Sequence, residues 1–150
     1  MKLFKYSNLS ASEVEIKCKK LFMTTYIRDT NGNKIILKTA NNERIVFQEH
    51  NYNHAFSYCN KDYDKHNPIS PKRIFSYQRA RRVLWIKDMI TSSTPNIVRK
   101  DIGRDVYFYD QKEKYVVILI KSKNGNLYFK THYLVKNKKS LSNIENKLLY

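Results

Sequence analysis

The sequence predicts an α+β fold in which an N-terminal helix and β-hairpin precede a second helix packed on a C-terminal antiparallel sheet. Three patterns predict it: helical spacing of apolar residues after Ser10, a second helical stretch after Pro71, and strand-like alternation through the last third of the chain. A chain of 150 residues has room for one core of ordinary size, so residues 1–150 read as a single domain.

The first helix is expected from Ser10 to about Asp29, because Val14, Cys18, Leu21, Phe22 and Thr25 recur on one side. Ser10 or Ser12 supplies its N-cap ahead of Glu13 and Glu15. Asn31-Gly32-Asn33 ends it, and Lys34–Lys38 and Arg44–Gln48 then flank a turn at Ala40-Asn41-Asn42-Glu43, the pattern of a hairpin. From Glu49 to Pro71 the chain is polar and aperiodic, and it reads as a long loop with a short helix at His54-Ala55-Phe56-Ser57. Loops longer than about 12–15 residues in compact domains usually carry function. The second helix runs from Lys72 or Arg73 to about Ser92, with Pro71 suited to its start and Pro95 beyond its end. Residues 105–109, 114–122 and 126–135 read as three strands, the last two joined by the strong turn signal Asn124-Gly125. A charged tail from Lys136 holds a short helix near Ile144–Leu149, and the helices are expected on one face of the sheet.

The apolar fraction of 41% supports a packed core, while 29 Lys and Arg against 13 acidic residues leave a net charge of +16. Phosphate is the natural counter-charge, because a basic surface that neutralises phosphates releases their condensed counterions. The alternative is a Lys-rich solubilising surface, or an AT-rich coding bias toward Lys, Asn, Ile and Tyr, with no phosphate partner. Cys18 and Cys59 have neither CxxC nor zinc-finger spacing, so no disulfide framework, structural metal or cofactor is expected. No leader-like segment opens the chain and no apolar run approaches a membrane span, which makes the cytoplasm the expected compartment and leaves no membrane partner.

On a helical wheel at about 100° per residue, Val83, Ile86 and Ile90 mark the core side of the second helix, and Arg79 falls within about 40° of its centre. An inward guanidinium needs a partner. That partner is either a carboxylate such as Glu49 or Asp101, or a phosphate, whose geometry suits the planar fork of Arg. Arg82 lies at the edge of the same face and Arg81 points to solvent. Along the final strand, strict alternation groups Leu127, Phe129, Thr131, Tyr133 and Val135 on the core face, and Tyr128, Lys130, His132 and Leu134 on the other. Thr131 and Tyr133 then put polar groups at one end of an apolar face, as a cleft at a sheet edge requires; singly, each also suits an ordinary β-former and a core aromatic with a wet tip. His54 is anchored by Ala55 and Phe56, and imidazole is the side chain whose pKa suits proton transfer near neutrality. His50 stands four residues before it, but Asn51 and Asn53 argue against a regular helix there.

His54, Arg79, Thr131 and Tyr133 together suggest RNA cleavage without metal: a base takes the ribose 2′-OH proton, cations and hydroxyls hold the phosphorane-like charge, and an acid protonates the leaving 5′-oxygen. A chain with only 13 acids and no paired-carboxylate motif fits that route better than two-metal cleavage.

Val46-Phe47 through His54-Ala55-Phe56-Ser57, then Arg79-Ala80-Arg81-Arg82-Val83-Leu84-Trp85-Ile86, then Asn126-Leu127-Tyr128-Phe129-Lys130-Thr131-His132-Tyr133, resemble the phage-associated branch of the barnase–EndoU–colicin–RelE nuclease superfamily. The resemblance covers roughly residues 44 to 135. It implies N-terminal helices before a four-stranded antiparallel sheet, and a metal-independent ribonuclease of a toxin or phage-conflict system. RNA, with tRNA among the candidates, would be the substrate and an antitoxin or immunity protein the partner. It makes His54 the acid or base, Arg79 the phosphate ligand, and Thr131 and Tyr133 the late-strand polar pair. Ser57, Arg82, Lys130 and His132 are secondary nucleic-acid contacts. The rival reading is a binding module without chemistry, in which Tyr58, Tyr63, Tyr107 or Tyr128 stack on bases beside Lys and Arg.

Overall fold

The computed structural model describes every residue except Ser93. Helix α1 (Ala11–Phe22) begins at Ser10, whose Oγ accepts the Glu13 N–H at 3.3 Å while the Glu13 carboxylate accepts the Ser10 N–H at 3.2 Å. This is a closed capping box. Ser10→Ala is expected to cost about 1 kcal/mol, seen as a lower denaturant midpoint at unchanged m-value; an unmoved midpoint would mean the cap contributes nothing. The α-helix stops at Phe22 rather than near Asp29, and Met23–Ile27 widen into a π-helical turn closed by the Arg28 N–H on the Met23 carbonyl at 3.0 Å. The wider turn brings Tyr26 inside, where its hydroxyl donates to the Val83 carbonyl and accepts the Lys87 N–H.

Strands β1 (Leu37–Lys38) and β2 (Arg44–Val46) form the expected hairpin, shorter than the pattern suggested. The stretch from Glu49 to Ser92 departs furthest from expectation. Helix α2 (Asn51–Ala55) forms earlier than the expected 54–57 and runs through Asn51 and Asn53, against the expectation that they exclude a regular helix there, and it carries His54. After it, β3 (Ser57–Cys59) pairs antiparallel with β4 (Arg73–Phe75), closing the polar loop between them. No single helix spans 72–92. The β-branched and aromatic side chains of Ile74 and Phe75 go to the strand pair, and Ser76 starts the helix instead, its Oγ accepting the Arg79 N–H at 3.1 Å. Short helices α3 (Tyr77–Ala80) and α4 (Trp85–Thr91) follow on either side of a turn.

Strands β5 (Ile97–Ile102), β6 (Asp105–Asp110), β7 (Tyr115–Lys121) and β8 (Leu127–Leu134) make an antiparallel meander. Strand β2 adds parallel to β8, giving a six-stranded mixed sheet in the order β1-β2-β8-β7-β6-β5. The additional strand β5 is masked in sequence by Arg99, Lys100 and Asp101. Two of these serve a surface ion-pair group, in which Arg99 meets Glu43 and Asp101, and Asp101 also meets Lys121 at 2.8 Å.

Helices α1 to α4 contribute to one core with Val106, Phe108, Val117, Leu119, Leu127 and Phe129. Phe22 lies at its centre, its ring within 5.5–6.2 Å of those of Tyr26, Phe47, Tyr52, Phe56 and Phe129. Helix α5 (Lys138–Leu149) is longer than expected and packs over Tyr107, Tyr109, Val116 and Ile118, so helices cover both faces of the sheet rather than one.

A β-bulge corrects the reading of the last strand. Ile118 opposes Thr131 but Leu119 opposes Phe129, which leaves Lys130 as an extra residue. Alternation is broken there. His132, opposite Val117, joins Phe129 on the face covered by α1–α4, while Thr131 and Tyr133, opposite Ile118 and Val116, turn to the α5 face.

Candidate functional site

On its β8 side β2 pairs only with Leu127 and Tyr128, so among the described residues β8 from Phe129 onward has no strand on its outer side. Helix α2 packs against β8, with the β3–β4 pair directly after it in the chain. The C-terminal carbonyls of α2 and the first carbonyl of β3 are gathered by two guanidinium groups. Arg79 donates through Nη1 to the Ser57 carbonyl at 2.7 Å and reaches the Ala55 and His54 carbonyls at 3.3 and 3.5 Å. Arg73 donates through Nη2 to the Ser57 carbonyl at 2.9 Å and the His54 carbonyl at 3.3 Å, and through Nε to Ser57 Oγ at 2.7 Å. These are the helix-end acceptors that a C-terminal cation ordinarily satisfies.

Arg79 is therefore turned inward as expected, but its partner is backbone. The carboxylates weighed for it do not meet it: Asp101 pairs with Arg99 and Lys121. Among the described residues Arg73, Arg79 and Arg82 form no salt bridge. Burial first, then the neighbouring Arg73, holds Arg79 below its ordinary pKa. Two cations are thus held side by side with uncharged acceptors, which leaves the local field positive.

Arg79 also lines a cavity of about 220 Å³. Arg82 and the exposed Lys136 add charge to its wall, and Tyr58, Tyr115 and Tyr133 add aromatic surface. Among the described residues none that lines it is a carboxylate. Beneath it, the Tyr115 hydroxyl and His132 Nδ1 share a hydrogen bond of 2.6 Å. Both rings are fully buried. Burial keeps Tyr115 well above the ordinary phenol range. Tyr133 is also raised, mainly by burial with Tyr107 adding to it, while Arg79 pulls the other way, so its phenol stays a proton-bearing donor at neutral pH.

His54 is exposed, and its pKa is lowered by desolvation and by the charges of Arg73, Arg79 and Lys130. At neutral pH its imidazole is uncharged and able to accept a proton. Lys130, the bulge residue, is exposed and lies 3.6 Å from Asp105. Ser57 is buried and acts as a relay, donating to the Asn53 carbonyl while accepting from Arg73.

The structure thus brings the main chain of His54 and Ser57 to Arg79, and it joins Arg79, Arg82 and Tyr133 through the cavity. It does not bring Thr131 there. That hydroxyl is buried toward α5 without a hydrogen-bond partner among the described residues. His132, expected on the opposite face as a nucleic-acid contact, is fully buried and forms part of the support under the cavity. Of the tyrosines considered for stacking, Tyr58 and Tyr63 are exposed, whereas Tyr107 is buried beneath the Lys147 ammonium, 4.5 Å from its ring centroid. Arg73, Tyr115 and Lys136 were not singled out in the sequence. The run Arg73-Ile74-Phe75-Ser76, a strand followed by a cap, was the available signal for the first of them.

Burial, with Arg79 and Arg82 nearby, pushes His132 well below the usual histidine range, against a weak opposing pull from the Ala55 carbonyl. The folded state keeps this imidazole neutral while the unfolded chain protonates it at about pH 6.5. Stability contributed by the neutral ring is complete above that pH and falls as pH drops below it, by up to about 1.4 kcal/mol per pH unit. His54 adds a slope of the same sign. Glu43 and Asp101, held low by Arg99, lose stability only in a more acid range. Denaturant titrations between pH 6.5 and 5 are expected to show the slope, and His132→Gln to remove most of it; equal slopes in the two proteins would contradict this.

No family model, curated protein sequence or solved structure matches the chain. No helix among the described residues is long and apolar enough to cross a membrane.

Proposed function

We propose that this α+β protein is a metal-independent ribonuclease of the type the barnase–EndoU–colicin–RelE resemblance implies, in which His54 accepts the ribose 2′-OH proton and Arg79 helps hold the phosphate. One observation carries the reading: the exposed His54 imidazole, its pKa lowered by desolvation and by the charges of Arg73, Arg79 and Lys130, belongs to a residue whose carbonyl is held by Arg73 and by Arg79, and Arg79 also lines a cleft with no carboxylate among its described lining residues. A neutral base near Arg73 and Arg79, which form no salt bridge among the described residues, suits attack on a phosphodiester, since those cations favour the negative charge that develops as the 2′-oxygen attacks. Tyr133 has the protonated phenol needed to donate a hydrogen bond, or to act as the acid. Thr131 has no part in this arrangement.

The purified protein is expected to cut RNA in the presence of EDTA. A strict requirement for a divalent cation would overturn the reading.

A second reading, a basic RNA- or single-stranded-DNA-binding module without chemistry, is favoured by a different observation. Nη1 of Arg79 and Nη2 of Arg73 are already bonded to backbone carbonyls, and Tyr58 stands 46% exposed at the cavity. That module would retain salt-sensitive binding and show no cleavage.

A further inference from the structure

Arg82 is the most buried of the cleft's cations. It is only 9% exposed. Its Nη1 donates to the Gln78 carbonyl at 2.7 Å and to Gln78 Oε1 at 3.1 Å, and its guanidinium carbon lies 4.8 Å from the Trp85 ring centroid. The group is thereby fixed in orientation before any ligand arrives. Its other edge is unpartnered: Nε is buried with no hydrogen-bond partner among the described residues. A buried donor left unpaired is costly, and here it belongs to a charged side chain that lines a cavity. The Nε–Nη2 edge of a guanidinium is a fork that matches two oxygens of one phosphate.

Two further features narrow the ligand. Arg79, Arg82 and Lys136 all line the cavity and no lining carboxylate offsets them, so the wall suits more than one negative charge. A terminal phosphate carries about −1.5 to −2 at neutral pH, whereas each internal phosphodiester carries one charge. The cavity, at about 220 Å³, is also smaller than the roughly 300–1,000 Å³ of sites that enclose a whole drug-sized ligand. It suits one end group of a longer molecule.

We infer that this cavity is a receptor for the terminal phosphate monoester of a nucleic-acid strand, held side-on by the Nε–Nη2 edge of Arg82 with Arg79 and Lys136 completing the charge. The inference rests on the cleft being a nucleic-acid site, but not on its cutting RNA.

Single-stranded DNA oligonucleotides test it, since without a 2′-hydroxyl they are not substrates for the proposed cleavage. Three probes of one sequence are compared by equilibrium binding: 5′-phosphorylated, 3′-phosphorylated and unphosphorylated. One phosphorylated form is expected to bind about 10- to 100-fold more tightly than the unphosphorylated strand, the range set by a charge-assisted hydrogen bond. Which form it is identifies the end that is held. Arg82→Lys keeps the charge but loses the fork, and it is expected to abolish most of the difference. Should that variant unfold, Lys136→Gln, at an exposed position, is expected to reduce it. Equal affinity for all three probes, or a preference unchanged in every folded variant, would overturn the inference. End preference without RNA cleavage would sustain it while removing the ribonuclease reading, and cleavage without end preference would do the reverse.

Discussion

His54→Ala is expected to lower RNA cleavage by about 10²- to 10⁴-fold, the usual contribution of a positioned acid or base, with the thermal midpoint little changed. The small effect on stability follows from position, because the side chain is exposed and it is the main-chain carbonyl of His54 that Arg73 and Arg79 hold. The pH profile gives a second check. Desolvation and the charges of Arg73, Arg79 and Lys130 lower the imidazole pKa, so the acid limb of kcat/KM should lie below the ordinary value of 6.5. Lys130→Gln removes one of those charges and is expected to move the limb upward. A His54→Ala protein that cuts as well as the parent would remove His54 from the reaction. Arg79→Ala is a poorer probe of chemistry. Its guanidinium holds the end of α2 against β3, so that variant is expected to lose stability together with activity.

Phe22→Ala carries the largest expected cost to the fold, about 3–5 kcal/mol. Its ring is fully buried and is surrounded by five other aromatic rings drawn from the π-helical turn, α2 and its C-cap Phe56, β8, and the segment between β2 and α2. Neighbours this bulky, fixed from several directions, cannot close over the space left behind. For a domain whose whole stability is on the order of 5–15 kcal/mol, the loss should appear as a drop of about 10 °C in thermal midpoint. A cost below about 1 kcal/mol would mean that Phe22 is not at the centre of the core.

Much of the architecture is legible in local signals. Ser10 with Glu13 marks a helix start, and Asn124-Gly125 marks a turn in which Gly125 adopts φ +87°. What escaped the sequence depends on distant partners. Ser57–Cys59 is too short to announce a strand, and its partner Arg73–Phe75 lies across a polar loop, so the second helix seemed to begin before Ser76. Strand β5 was hidden because its central charges find partners on other segments. The bulge at Lys130 leaves no mark in one sequence, yet it exchanges the faces of Thr131 and His132. The site was readable in part for the same reason. Arg79 does turn inward, but not along the continuous helix that the spacing predicts, since α3 ends at Ala80 and α4 begins only at Trp85, and its acceptors are main-chain carbonyls, which no residue type discloses.

The proposed chemistry depends on the ribose 2′-hydroxyl as nucleophile. The most direct test is an oligoribonucleotide with a mapped cut site, synthesised with and without a 2′-O-methyl group on the nucleotide 5′ to the scissile phosphate and incubated in EDTA. The unmodified strand should yield a 2′,3′-cyclic phosphate end and the methylated strand should remain intact at that position. Cleavage of both strands at the same bond would contradict the proposed mechanism.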